Sequence, residues 1–229
     1  MTIGRLYRLV FMVSALAASP LADVRAASII PGYPDNVEYG FDPRELALLP
    51  NYCKYTKVFR DRVPGANNKA EIERWYSVMG PTFNSVHHYC WALMKTNRAL
   101  LLARDKGTKD YYLRAAISDI DYVLHYAPRD FVLLPEVLTK KGENLIGIGR
   151  NVEGITELER AISIKQDYWP PYADLSDYYA RAGDHAKARE MLEKALSFAP
   201  QEKALTRRLA DLDAGNEKRK GASRESTGG

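Results

Sequence analysis

The feature that most constrains this chain is that part of it repeats itself. Residues 135–202, displaced by 34 positions, match: Gly149 falls on Gly183, Leu158 on Leu192, Glu159 on Glu193, Ala161 on Ala195 and Ser163 on Ser197. Similar residues fill the interval, with Glu143 over Asp177, Arg160 over Lys194, Ile162 over Leu196 and Ile164 over Phe198. Within 170–182 and 184–198, apolar residues recur at three- and four-residue steps, the spacing of one helix face. Gly183 stands between the two runs, where a residue able to take positive φ ends a helix. Asp184 follows as a candidate N-cap, and Pro200 cannot continue the second helix. One such two-helix unit cannot bury its apolar face alone, so neighbours must stack on both sides.

A 34-residue period built from two helices resembles the tetratricopeptide repeat family. The 169–202 copy carries Tyr172, Leu175, Tyr179, Gly183, Ala188, Leu192, Ala195 and Pro200 at that family's spacing. The 135–168 copy keeps Leu138, Gly142, Leu145, Gly149, Leu158 and Ala161. It departs at Lys141, where Leu is usual, at Gly154, where Ala is usual, and at Gln166, where Pro is usual. The resemblance implies an all-α fold, a helical-hairpin solenoid whose activity is binding.

Residues 1–26 read as a secretory signal peptide. Arg5 and Arg8 precede a ten-residue apolar run, Leu9–Ala18, too short to span a bilayer comfortably. Val24 and Ala26 suit the −3 and −1 positions, which places cleavage at Ala26/Ala27. An uncleaved N-terminal anchor is the alternative. The first cysteine is Cys53, so there is no lipid-attachment cysteine near the cleavage site. No other stretch approaches transmembrane length. The expected location is the periplasm of a Gram-negative bacterium; the bacterial part rests on what the resemblance implies about envelope proteins of this type.

Residues 27–80 read as an irregular and helical N-terminal extension. Asp42-Pro43-Arg44-Glu45 is a helix start with a short helix over 45–49, and a second helix is expected over 69–79, capped by Asn67 or Asn68. Trp75 and Tyr76 are expected to pack inward. Residues 81–134 read as a degenerate hairpin of the same type. Pro81 starts a long helix through Arg104, and Thr108 caps the next. That next helix carries Ala116, Ile120, Val123, Leu124 and Pro128 at the spacing of Ala188, Leu192, Ala195, Leu196 and Pro200. Residues 203–214 supply a capping helix through Leu205, Leu209 and Leu212. Residues 215–229, with Ala222 their only apolar side chain, read as a disordered, mildly basic tail.

Cys53 and Cys90 are the only two cysteines. Behind a secretory signal they most simply pair with each other. The bond would tie the non-repeat lead-in to the first long helix. His87-His88-Tyr89-Cys90, with Cys53, is the one place where a metal could be sought, and a metal-dependent envelope enzyme or its subunit is the alternative function. The spacing lacks the Cys-x-x-Cys and His-x-x-x-His forms of common zinc sites. His125 and His185 stand alone. There is no phosphate loop, no Gly-x-Ser-x-Gly and no His-Glu-x-x-His. No catalytic residue, metal or cofactor is therefore assigned.

Charge bears on the partner. The chain has 33 basic and 29 acidic residues, and 30 and 28 remain without Arg5, Arg8, Arg25 and Asp23. That balance is too even for a general nucleic-acid footprint. In arrays of the family that this chain resembles, the first helix of each hairpin lines the concave face. Those positions are here Glu136, Thr139, Glu143 and Ile146 in one repeat, and Ala173, Asp177, Ala180 and Arg181 in the next. Carboxylates at Glu136, Glu143 and Asp177, with Arg181 the lone base, point to a protein or peptide segment of neutral to basic character. Docking on the convex side, or burial of the repeat faces in a permanent complex, are the alternatives.

Overall fold

The structure, a computed structural model, describes residues 42–227. Among them every regular element is a helix. Asp42 opens α1 (Pro43–Leu46), its carboxylate accepting from the Arg44 amide at 2.8 Å. This helix ends before the expected Leu49. A 3-10 helix (Asn51–Tyr55) leads to α2 (Lys69–Met79), where Asn68 accepts from the Glu71 amide at 3.2 Å. Both caps follow from short polar side chains that satisfy the unpaired amides of a first turn.

Six helices then form three hairpins: α3 (Val86–Leu101) with α4 (Lys106–Tyr126), α5 (Leu134–Gly147) with α6 (Asn151–Ile164), and α7 (Pro170–Arg181) with α8 (His185–Phe198). Helix α9 (Lys203–Thr227) packs on α8. The last two hairpins keep the period: their second helices begin at Asn151 and His185, 34 residues apart. Their turns are the same object. Gly149 and Gly183 have φ of 84° and 86°, and the following amides, of Arg150 and Asp184, each reach back 2.9 Å to the carbonyls of Leu145 and Tyr179. This closure of a helix by a left-handed glycine is why both copies need Gly there. Asp184 caps α8, accepting from the Lys187 amide at 3.0 Å.

The departures from the family pattern acquire reasons. Gly142 and Gly154 are the crossing point of α5 and α6. A Cβ on Gly154 would lie 2.6 Å from the Ile146 side chain and 2.8 Å from the Gly142 carbonyl. In the next hairpin the same two positions hold Ser176 and Ala188, and the Ser176 hydroxyl donates to the Ala188 carbonyl at 2.8 Å. Lys141, in place of Leu, reaches Asp121 on α4 at 2.8 Å and Glu157 on α6 at 2.9 Å. Burial opposes its charge, but hydrogen bonds to both carboxylates outweigh it and raise its pKa.

Several expectations are corrected. The helix expected from Pro81 begins at Val86, because Gly80 (φ 62°) ends α2 and Gly80–Asn84 makes a 3-10 turn that buries Thr82 and Phe83. It ends at Leu101 rather than Arg104, and Leu101 is exposed. Asp105, not Thr108, caps α4: its carboxylate takes the Thr108 amide at 2.8 Å and hydroxyl at 2.7 Å. Tyr76 faces outward, whereas Trp75 packs on the core with the Arg74 guanidinium 4.7 Å over its ring. The tail expected to be disordered from Gly215 is helical to Thr227. A sequence whose one apolar residue is Ala222 can still prolong an existing helix, since each added residue gains a hydrogen bond without a new nucleus.

The core has two main parts. The larger surrounds the Cys53–Cys90 disulfide, with Phe59, Phe83, Tyr89, Met94 and Phe131 packed from the N-terminal segment, α3 and the α4–α5 connection. The smaller joins α7, α8 and α9 through Tyr172, Ala188, Leu192, Ala195, Leu205 and Leu212. The signal peptide and cleavage site expected at 1–26 lie outside the described residues.

Candidate functional site

First helices α3, α5 and α7 touch in series, and their common face is open. Two cavities lie along it, of about 480 and 580 Å³. They share Glu143, Asp174 and Arg208, so they are two ends of one groove. A third, of about 290 Å³, continues from Asp177 and Arg208 toward Leu212.

The eight expected partner-binding positions all line one of these cavities, but their availability differs. Glu136, Glu143, Asp177 and Arg181 present charged side chains. Thr139 is buried and donates to the Pro135 carbonyl at 2.7 Å. Ala173 is 1% exposed and forms floor. Ile146 packs over Gly154, and Ala180 edges the third cavity.

Arg181 is not the lone base of this groove. Lys140 pairs with Glu143, and Arg208 of α9 comes within 3.5 Å of Asp177. Lys109 lines the far end. Glu136 accepts from the Tyr52 hydroxyl at 3.2 Å and the Tyr89 hydroxyl at 3.0 Å. Burial, then the charge of Glu136, pushes both tyrosines well above the usual phenol range. Three of the four groove carboxylates thus already have polar partners. Asp174 makes no hydrogen bond or ion pair among the described residues. Desolvation, reinforced by Glu143 and opposed by Lys140 and Arg208, pushes its pKa up to about 7. Desolvation also raises Asp177, against the pull of Arg208.

Sequence reasoning missed Asp174, Lys140 and Arg208. Helical spacing could have found two of them. Asp174 stands three residues before Asp177, and Lys140 lies between Glu136 and Glu143 at steps of four and three. Arg208 carries no such signal, since α9 lies outside the repeat.

The alternative site at His87–Cys90 is changed by the Cys53–Cys90 bond, which takes both thiols. The two imidazoles lie close, centroids 4.4 Å apart and planes tilted by 40°, rather than diverging as their helical spacing suggests. His88 Nδ1 is 3.3 Å from Asp119, whose other oxygen accepts from Lys95 at 2.6 Å. Burial, then the neighbouring His88, lowers His87 to about 4. Among the described residues no three His, Cys, Asp or Glu side chains are grouped to hold a metal.

The family model described as tetratricopeptide repeat matches residues 170–202, the span of α7, α8 and their exit turn. This chain contains a tetratricopeptide repeat. Such repeats generally mediate protein–protein interaction and typically form non-catalytic scaffolds. No curated protein and no solved structure matches the chain. Among the described residues no helix is long and apolar enough to cross a membrane.

Proposed function

We propose that this tetratricopeptide-repeat protein is a non-catalytic scaffold of the bacterial cell envelope that holds an extended protein segment, neutral to basic in character, in the groove along α3, α5 and α7. The observation that carries this reading is the groove itself, whose two halves meet at carboxylates, with Asp174 between them and without a hydrogen-bond or ion-pair partner among the described residues. Lys109, Lys140, Arg181 and Arg208 balance the groove carboxylates overall, so the preference for a cationic side chain rests on the centre of the groove, where Asp174 stands beside the loosely paired Asp177. The leader read in residues 1–26 supports export to the periplasm, and the oxidised Cys53–Cys90 pair agrees with an oxidising compartment.

The test is affinity capture from envelope fractions with the wild-type protein and with a Glu143→Lys, Asp177→Lys double variant. The wild type is expected to retain a partner that the double variant binds at least about tenfold more weakly, with helix content and melting temperature nearly unchanged. Equal capture by both forms overturns the groove reading and moves attention to the convex side. N-terminal sequencing of the exported protein tests the location: a start near Ala27 is expected, and an intact Met1 in the membrane pellet overturns it.

A further inference from the structure

Arg208 is the one side chain that lines all three cavities. It reaches them from α9, the helix that closes the repeat array, and crosses the point where the two larger cavities meet. One guanidinium nitrogen lies 3.5 Å from Asp177. The other terminal nitrogen, Nη1, is buried with no hydrogen-bond partner among the described residues. A buried guanidinium N–H without an acceptor is an unfavourable arrangement, and a cation held at 3.5 Å by one carboxylate is held loosely. Arg208 is therefore poorly fixed although carboxylates surround it. Apolar side chains flank it on both sides along the groove: Leu93 and Trp169 in one cavity, Leu100 and Ile146 in the other. Leu100 is 54% exposed, so that flank is open to a visiting side chain.

We propose that the partner segment is read by one arginine or lysine set between apolar residues, and that Arg208 fills that cation's seat in the free protein. The inference rests on the groove reading above. The incoming cation takes Asp177 and Asp174, its apolar neighbours cover Trp169 and Leu100, and Arg208 swings toward solvent on its flexible stem. A seat filled part of the time lowers apparent affinity to the fraction of time it stands empty, so Arg208 sets the threshold for binding.

A blocked Leu-Arg-Leu amide serves as the probe, and its citrulline counterpart, equal in shape but uncharged, as the control. Binding is followed by chemical-shift titration of the full chain. Arg208→Met, which keeps the apolar stem and removes the charge, is expected to bind the arginine probe roughly tenfold more tightly than wild type. Arg208→Lys should stay near wild type, and the citrulline probe should distinguish none of the three. Unchanged or weaker binding by Arg208→Met, while Asp177→Asn still weakens it, overturns the seat and leaves the groove standing. Binding unaffected by Asp177→Asn and by the double lysine variant brings down the groove reading as well. If Arg208→Met does not fold, the guanidinium resonances of Arg208 in the wild type decide. They should shift on saturation with the arginine probe, and no shift overturns the proposal.

Discussion

The stapled N-terminal half and the repeat half of this molecule solve one problem in two ways. Among the described residues, 42–133 have a repeat packed on one side only. They are held by ties between residues far apart in the chain: Cys53 to Cys90, and Glu45 to Arg98 through a bidentate, largely buried ion pair. Within the two hairpins from α5 onward, the helix crossings rely on small side chains. Gly142 meets Gly154, and Ser176 meets Ala188. In stacked repeats stability is close to a sum of units and nearest-neighbour interfaces. The N-terminal segment departs from the repeat pattern, and there the disulfide adds a covalent tie.

That contrast can be broken at its strongest point first. Replacing both cysteines by serine opens a loop of sequence separation 37 and should lower unfolding free energy by about 3–4 kcal/mol in the chain-entropy model. Denaturant titration would measure the loss. Hydrogen exchange should place it in α2 and α3, with amides of α7 and α8 little altered. Equal loss of protection in α7 and α8 would mean that the halves unfold as one unit.

The repeat half has its own weak point. Gly154→Ala moves the sequence toward the family pattern yet should destabilise by about 1–3 kcal/mol, because the methyl has nowhere to go between Ile146 and the Gly142 carbonyl. A thermal melt that rises instead would show that α5 and α6 can separate freely.

A smaller effect separates the halves by pH. Asp174 binds its proton more tightly in the folded protein than in the unfolded chain, so folding stability falls as pH rises from about 4 through about 7. Asp174→Asn should therefore be more stable than wild type at pH 8, by about 1–2 kcal/mol. The gain should disappear as pH falls below 4. A gain independent of pH would assign the effect to packing rather than charge.

Smallest is Ser176→Ala, which removes one buried hydroxyl bond to the Ala188 carbonyl and should cost about 1 kcal/mol by denaturant titration. A loss as large as that of Gly154→Ala would mean that the two crossings are not equivalent.

The sequence was most legible where it repeats. The 34-residue period located both glycine turns and the Asp184 cap, because these are local chemistry at fixed spacing. The pairing of the two cysteines also followed from composition. The ends of α3 did not, since the 3-10 turn at Gly80–Asn84 serves the burial of Phe83, a tertiary demand that no local preference announces. The groove positions on α5 and α7 were readable from helix phase. Their electrostatic state was not, because the cation beside Asp177 arrives from α9. Two hydroxyls beside Glu136 likewise come from positions 84 and 47 residues away.

Those hydroxyls carry a consequence of their own. Tyr52 precedes Cys53 and Tyr89 precedes Cys90, so each half of the disulfide has a phenol at its shoulder, and both phenols close on the same oxygen of Glu136. The bond and the groove are thus joined by a two-pronged grip. Neutral phenols leave the carboxylate its charge, so the staple bears on where that charge stands in the groove wall and not on how large it is.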